Sequence, residues 1–418
     1  MILMFLGCRM NKKLLQINIT ANWGSHGRIA EEIGQLAMSQ GWESHIAYGR
    51  WANPSQSHLI RIGSMWDERW HGAQSYIFDN HGLASKKATQ NLIEEIKRVS
   101  PDIIHLHNIH GYYLNYPHLF GFLSKANVPK VWTLHDCWPF TGHCAYPSYA
   151  GCSRWKTVCK GACPLRKEYP ASYLLDKCER NFLLKKQSFG SISDLNIVTV
   201  SNWLKRETEQ SFLGHKTIRC IYNGIDTQVF EPKCPDQLKL NVRIGEHKKV
   251  VLGVANVWEG RKGLYDFFQI RERLSSEYVI ILIGLSADQI KKMPEGIIGL
   301  SRTESPCQLA EYYSMADVYV NTSQAETFGM TTAEALSCGT PAIVYNTTAS
   351  PEIVSEETGA VVELGNISAM VDNIQEICNV SALEQKERRK LCRQRAVSLF
   401  NKNDRYQEYL DLYNSLLK

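Results

Sequence analysis

Two doubly wound α/β domains are predicted by this sequence, on three observations. Short β-branched runs alternate with longer amphipathic stretches. That alternation occurs twice, on either side of a turn-rich segment. Charged and glycine residues gather where a strand run gives way to a helix run. Alternation of this kind builds parallel sheets covered by helices on both faces, and such sheets take ligands at the carboxyl ends of their strands.

In the first half, Leu14–Ile19, His45–Tyr48, Ile103–His107, Lys130–Leu134 and Ile197–Val200 read as strands, and Arg28–Ser39, Lys86–Val99 and Trp203–Phe212 have helical spacing. In the second half, Val250–Ala255, Tyr278–Ile283, Val318–Asn321 and Ala342–Tyr345 read as strands. Leu264–Leu274, Cys307–Ser314 and Thr331–Ser337 are the helices among them. The turn Asn223-Gly224-Ile225-Asp226 and the proline-bearing loop Phe230–Asn241 mark the boundary. The expected division is therefore a first domain over 1–222, a linker over 223–245, a second domain over 246–395, and a tail over 396–418. A last helix, Asp404–Leu417, is expected to pack back on the first domain. The stretch 136–172 breaks the pattern, with prolines and cysteines but no clear strand or long helix, and reads as an insertion.

Composition narrows the function. With 44% hydrophobic and 21% charged residues the chain is an ordinary globular protein, and it has no apolar run long enough to span a membrane. A net charge of +5 is too small to argue for nucleic acid, yet it suits an anionic substrate or an anionic membrane surface. Met1–Cys8 lacks the basic start of an export signal. Leu6-Gly7-Cys8 faintly resembles a lipidation box, and Met10 as the true start is the plainer account. A cytoplasmic location follows, where the 13 cysteines read as metal ligands or free thiols.

Three segments carry chemistry. Asn321 to Leu336 follows a strand and opens a helix, placing Glu326 in the loop and Glu334 about one turn in. The amides around Gly329, Met330 and Thr331 at that helix start suit a phosphate. Carboxylates accept bonds from hydroxyls, so two of them there suit a sugar and a ribose. On spacing alone, Glu326 as a helix cap and Glu334 as a solvated residue read equally well. In Asn256-Val-Trp-Glu-Gly-Arg261-Lys262-Gly263, two adjacent cations at a strand-to-helix turn suit a diphosphate. The turn holding Gly24 and Gly27 lets a substrate approach the backbone, although two glycines make a weak fingerprint.

Together these segments resemble glycosyltransferase family 4, retaining enzymes with two Rossmann-like domains facing a cleft (the GT-B type). Glu326 and Glu334 match its E-x7-E pattern, Arg261-Lys262-Gly263 its phosphate turn, and Asn223–Asp226 its interdomain signature. The run from Trp132 through His135 and Asp136 to Cys144, with Trp155 and Cys163-Pro164, resembles the colanic-acid and exopolysaccharide branch. The resemblance implies a hexose moved from a nucleoside-diphosphate sugar to a saccharide acceptor, itself lipid-linked, on the inner face of the plasma membrane. Glu326 would contact the donor sugar, Glu334 the ribose, and Arg261 and Lys262 the leaving diphosphate. His135 would reach the donor from the first domain, and the loop Ser301–Thr303 would read the base. Many relatives carry arginine where this chain has Asn256. No acidic metal motif is present, so no catalytic metal is expected. A nucleotide-sugar epimerase of the same architecture and a non-catalytic zinc-bearing scaffold are the competing readings.

Cys144, Cys152, Cys159 and Cys163, at C-x7-C-x6-C-x3-C spacing, suit a structural zinc, with free thiols or disulfides as alternatives. His105, His107 and His110 read as a metal triad or as polar lining of a cleft. Trp66, Trp70, Tyr112 and Tyr113 read as packing residues. The basic stretch Lys177–Lys186 reads as a surface helix or a contact with anionic membrane.

Overall fold

A computed structural model describes residues 11–234, 245 and 247–418. The Leu6–Cys8 box, Met10 and most of the Pro235–Gly245 part of the linker lie outside the described residues. The chain forms two compact units. The first comprises Met1–Val200, Lys205–Ile221 and Tyr406–Lys418, and the second Ser201–Leu204 and Tyr222–Arg405.

The first unit is built on a parallel sheet of β1 (Lys13–Asn18), β2 (Glu43–Tyr48), β3 (His58–Arg61), β4 (Ile103–Leu106), β5 (Lys130–Leu134), β6 (Leu195–Thr199) and β7 (Thr217–Cys220). The strand order is β3-β2-β1-β4-β5-β6-β7, so the direction of winding reverses between β1 and β4. β1 and β4 are buried through nearly their whole length, and the polar Gln16, Asn18 and His105 are buried with their apolar neighbours. One layer of the core joins Leu14, Ile29, Ile33, Ile103, Val131 and Val198 to Tyr406, Tyr409, Leu410 and Tyr413 of the last helix, Lys402–Leu416. That helix also binds by polar contacts, the Tyr413 hydroxyl meeting His105 Nδ1 at 2.6 Å.

The second unit has a parallel sheet of β8 (Lys249–Val254), β9 (Tyr278–Ile283), β10 (Ile297–Leu300), β11 (Val318–Asn321), β12 (Ala342–Tyr345) and β13 (Gly359–Val362). Its order, β10-β9-β8-β11-β12-β13, reverses between β8 and β11. Phe267, Ile270, Ile280, Val320, Ile343 and Ile374 lie at the centre of its core. The second unit holds the whole helix Ala382–Phe400 and runs to Arg405. The expected cut at residue 395 divides that helix, whose amphipathic signal is faint because it is polar on most sides.

Over 136–172 the chain makes three 3-10 turns, Trp138–Phe140, Pro147–Ala150 and Arg154–Lys156, tied down by buried groups. His143 Nδ1 lies 2.9 Å from Asp79 Oδ1, both side chains being 1% exposed. Asp79 Oδ2 accepts the Lys177 N–H at 2.7 Å. Two tryptophans depart from expectation. Trp66 and Trp70 point outward, whereas Tyr112 and Tyr113 do pack inside.

Candidate functional site

In the second unit, the predicted residues gather where the winding reverses. β8 ends at Val254, the exposed Asn256 follows, and the 3-10 turn Gly260–Lys262 leads into the helix Leu264–Arg273. Gly263 closes that turn at φ +71°, and a Cβ there would lie 2.3 Å from the Thr322 carbonyl oxygen. Only glycine suits both the left-handed backbone and this approach. Thr322, just past β11, returns the contact, its hydroxyl lying 2.9 Å from the Lys262 carbonyl and 3.0 Å from that of Gly263. The loop after β8 is thus bonded to the loop after β11.

Lys262 Nζ pairs with Glu326 Oε1. Arg261 donates to the Ala325 carbonyl at 2.7 Å and to Glu259 at 2.9 Å. Glu326 is anchored by its own backbone, its N–H donating to Thr348 Oγ1 at 2.8 Å. Burial pulls the Glu326 carboxyl up, but the Lys262 and Arg261 charges outweigh it and hold the group below the ordinary value. Glu326 does not cap the helix Met330–Ser337; Gly329, at φ +111°, occupies that position. The helix therefore starts with unobstructed backbone at Gly329, Met330 and Thr331, the arrangement that receives anions. Glu334, one turn in, accepts from the hydroxyl of the fully buried Tyr313 at 3.0 Å. Tyr319 fixes Thr331, hydroxyl to Oγ1 at 2.8 Å. Ser301 and Arg302, after β10, are exposed.

In the first unit, Gly24 opens the helix Gly24–Ser39 after β1, and Gly27 lies so close to Thr20 that a Cβ would fall 2.5 Å from its hydroxyl. His135 follows β5 and is joined to a polar chain across the strand ends. Gln16 Oε1 accepts a hydrogen bond from His107 Nε2–H at 3.0 Å, which leaves His107 Nδ1 to accept from His135 Nε2–H at 3.2 Å. His26, inside the glycine turn, meets Asn18 at 3.1 Å. Burial, then His107, holds His135 well below the ordinary imidazole value, and burial, then His110, brings His26 to about 4. Both are neutral imidazoles at neutral pH.

The three histidines take different partners, although the His105 and His107 rings lie 4.0 Å apart. His105 is in the core on Thr133 and Tyr413, His107 is on Gln16 and His135, and His110 is 3.0 Å from Asp136 and 2.9 Å from the Tyr169 hydroxyl. Among the described residues they do not stand together as a metal ligand set. Gln16, Asn18, Tyr313 and Tyr319 escaped the sequence reading, since each sits on an element that carries no motif of its own, and His26 and Thr322 lie inside motif segments but outside their matching positions.

Cys144, Cys152, Cys159 and Cys163 line one small cavity together with Cys178 and His143. Among the described residues, however, no three His, Cys, Asp or Glu side chains stand as a ligand set for a metal ion. The sulfurs bond elsewhere. Cys144 hydrogen-bonds to Cys163 and brings that thiol down to about 7, while Gly142 N–H donates to Cys159 Sγ at 3.2 Å. His143 Nε2 is buried without a hydrogen-bond partner. The 12 described cysteines are free thiols, which sets the disulfide alternative aside.

Comparison with known proteins agrees with this geometry. Residues 26–229 match the family described as Glycosyltransferase Family 4, and residues 240–396 match Glycosyl transferases group 1. The chain is 24% identical to the "Putative colanic acid biosynthesis glycosyl transferase WcaC" of Escherichia coli K12, over 86% of this chain and 89% of that one. It is also 24% identical to an uncharacterized 41.2 kDa protein in the cps region of Klebsiella pneumoniae, over 87% and 93%. Among solved structures, sucrose-phosphate synthase from Thermosynechococcus elongatus superimposes with a TM-score of 0.72 at 16% identity, covering 97% and 99%. Anabaena Alr3699/HepE in complex with UDP does so with 0.65 at 13%, covering 97% and 100%. The chain belongs to the glycosyltransferases of family 4, with a group 1 second domain, and its two domains have the GT-B fold.

Proposed function

We propose that this protein is a retaining glycosyltransferase that moves a hexose from a nucleoside-diphosphate sugar to a lipid-linked saccharide in polysaccharide assembly. The observation that carries the reading is the pairing of Lys262 with Glu326 at the winding reversal of the second unit, beside the helix start at Gly329. Breaking the bond between the sugar and the diphosphate builds negative charge on the leaving group. Lys262, Arg261 and the amides of Met330 and Thr331 supply fixed positive charge and dipoles for it. Glu326, kept ionised, accepts from sugar hydroxyls, and Glu334 from a ribose hydroxyl. The neutral His135 contacts substrate as a hydrogen-bonding group, Gly24 and Gly27 leave room for it, and Asn256 adds an uncharged contact. With retention, the leaving phosphate takes the acceptor's proton. The names of WcaC and of the Klebsiella cps-region protein support the pathway, and the UDP bound to HepE supports the donor class.

A thermal-shift titration with UDP, GDP and ADP tests the donor site. One nucleotide is expected to stabilise the protein by about 2.7 kcal/mol at a hundred times its Kd, and Lys262→Ala to remove the shift. Absence of any shift at millimolar nucleotide overturns the reading. Interconversion of the donor sugar without an acceptor would assign the chain to the epimerases instead.

For the cysteine-rich segment we infer a structural zinc on Cys144, Cys152, Cys159 and Cys163, each thiol giving up its proton for the metal. The cavity that all four cysteines line supports this. Elemental analysis of protein purified without chelator is expected to return stoichiometric zinc. Metal-free protein whose four thiols all react with Ellman's reagent overturns it.

Among the described residues no helix is long and apolar enough to cross a membrane. We assign the enzyme to the cytoplasm, on the inner face of the plasma membrane.

A further inference from the structure

The helix Met65–Phe78 in the first unit has its polarity reversed. Its buried residues are His71, Gly72 and Ser75, small or polar. Trp66, Trp70 and Ile77 lie within about 40° of one another at 100° per residue, and they face outward. Trp66 is 75% and Trp70 65% exposed. A soluble helix ordinarily turns such a stripe to the core.

The segment Tyr173–Leu175 extends this surface. Tyr173 N–H donates to the Tyr76 carbonyl at 2.8 Å and Leu175 N–H to that of Ile77 at 3.3 Å, while the Tyr76 and Tyr173 rings lie 5.8 Å apart. Leu174, at the tip, is 67% exposed. Exposed apolar side chains of the second unit, such as Tyr265 and Leu383, are scattered, which is unremarkable on any protein. A continuous strip marks a contact surface.

Cations border the strip. The Arg69 guanidinium lies 5.3 Å from the Trp66 ring centroid. Arg166 donates to the Leu174 carbonyl at 3.2 Å, and Arg180 to the Asp79 carbonyl at 2.9 Å just past the helix. The helix's own acids are already engaged, Asp67 capping Ser64 and Glu68 pairing with Arg61 and Arg50. The expected contact at Lys177–Lys186 moves accordingly. Lys185 is buried and donates to the carbonyls of Trp138 and Thr141 at 2.7 and 3.0 Å.

We propose that the strip from Trp66 through Ile77 to Leu174 docks on an anionic lipid bilayer. Indole rings settle at headgroup depth, leucine and isoleucine enter the acyl boundary, and the arginines meet lipid phosphates. This deepens the lipid-linked acceptor reading, because it seats the first unit on the surface that carries such an acceptor.

Flotation with vesicles tests it, using phosphatidylcholine alone and phosphatidylcholine with a third of phosphatidylglycerol. The full chain is expected to float with the anionic vesicles, less so as salt is raised. Trp66→Ser with Trp70→Ser, and separately Leu174→Ser with Leu175→Ser, are expected to weaken binding at least about tenfold while leaving the melting temperature and nucleotide binding unchanged. Three outcomes overturn the proposal: no flotation with either vesicle, binding indifferent to both double substitutions, or a dimer by light scattering that the same substitutions dissolve. A failed nucleotide titration would strike the proposed function and leave the vesicle result standing.

Discussion

Lys262→Ala is expected to lower kcat for sugar transfer by about 10²–10³-fold, with the melting temperature nearly unchanged. The figure is that of one preorganised group aimed at charge that develops in the transition state, about 3–4 kcal/mol. Lys262 is partly exposed and contributes little to the core, so the loss belongs to chemistry. Lys262→Arg is expected to rescue poorly, because a planar fork cannot replace a compact ammonium in the turn that Gly263 tightens against Thr322. Glu326→Gln should lose activity as well, since the amide no longer balances the cation or accepts from hydroxyls with full charge. The measurement is initial-rate release of nucleoside diphosphate by the purified variants. Transfer within a few-fold of wild type in Lys262→Ala would remove this turn from the site.

The second large effect is on stability. Asp79→Ala is expected to cost about 3–5 kcal/mol in all, in part because it leaves the buried His143 Nδ1 without its hydrogen-bond partner. The Lys177 N–H loses its acceptor too, and Asp79 stands at φ 53°, a conformation that alanine tolerates poorly. In a unit of this size such a loss lowers the melting midpoint by roughly 10 °C. Asp79→Asn keeps an oxygen for one of the two donors and tolerates that backbone, so a smaller loss is expected. Equal losses in the two variants, read by calorimetry, would refute this account.

Both sheets were legible from sequence because their central strands are buried on both faces and so are apolar throughout. Lys130–Leu134, Tyr278–Ile283, Val318–Asn321 and Ala342–Tyr345 fall where the pattern puts them. The edges were less readable. His58–Arg61 and Thr217–Cys220 are mostly exposed and carry no apolar period. The helix Met65–Phe78 was missed for a different reason, since its apolar stripe is not the side that packs. In the second unit the motifs themselves named Lys262, Glu326 and Glu334, since each lies on a strand-to-helix connection or in the first turns of the helix that follows. What holds them does not lie there. Thr348 and Tyr313 reach the site from other segments, and spacing along a chain is silent about neighbours brought together by folding. The cysteines show the same limit: their spacing suggested a common centre, whereas their hydrogen bonds now run to one another and to the backbone.

The final helix has a consequence for how the protein is made. Tyr406, Tyr409, Leu410 and Tyr413 complete the core of a unit whose other strands begin at Lys13. During synthesis the second unit has all of its chain once Arg405 has emerged from the ribosome. The first must wait, with the apolar faces of Leu14, Ile103 and Val198 incompletely covered, until Tyr406 to Tyr413 have emerged as well. Domains usually fold in the order in which they are translated. Here the order is reversed at the last step, and a nascent chain stalled before Tyr406 would carry a folded second half and a first half open to chaperones.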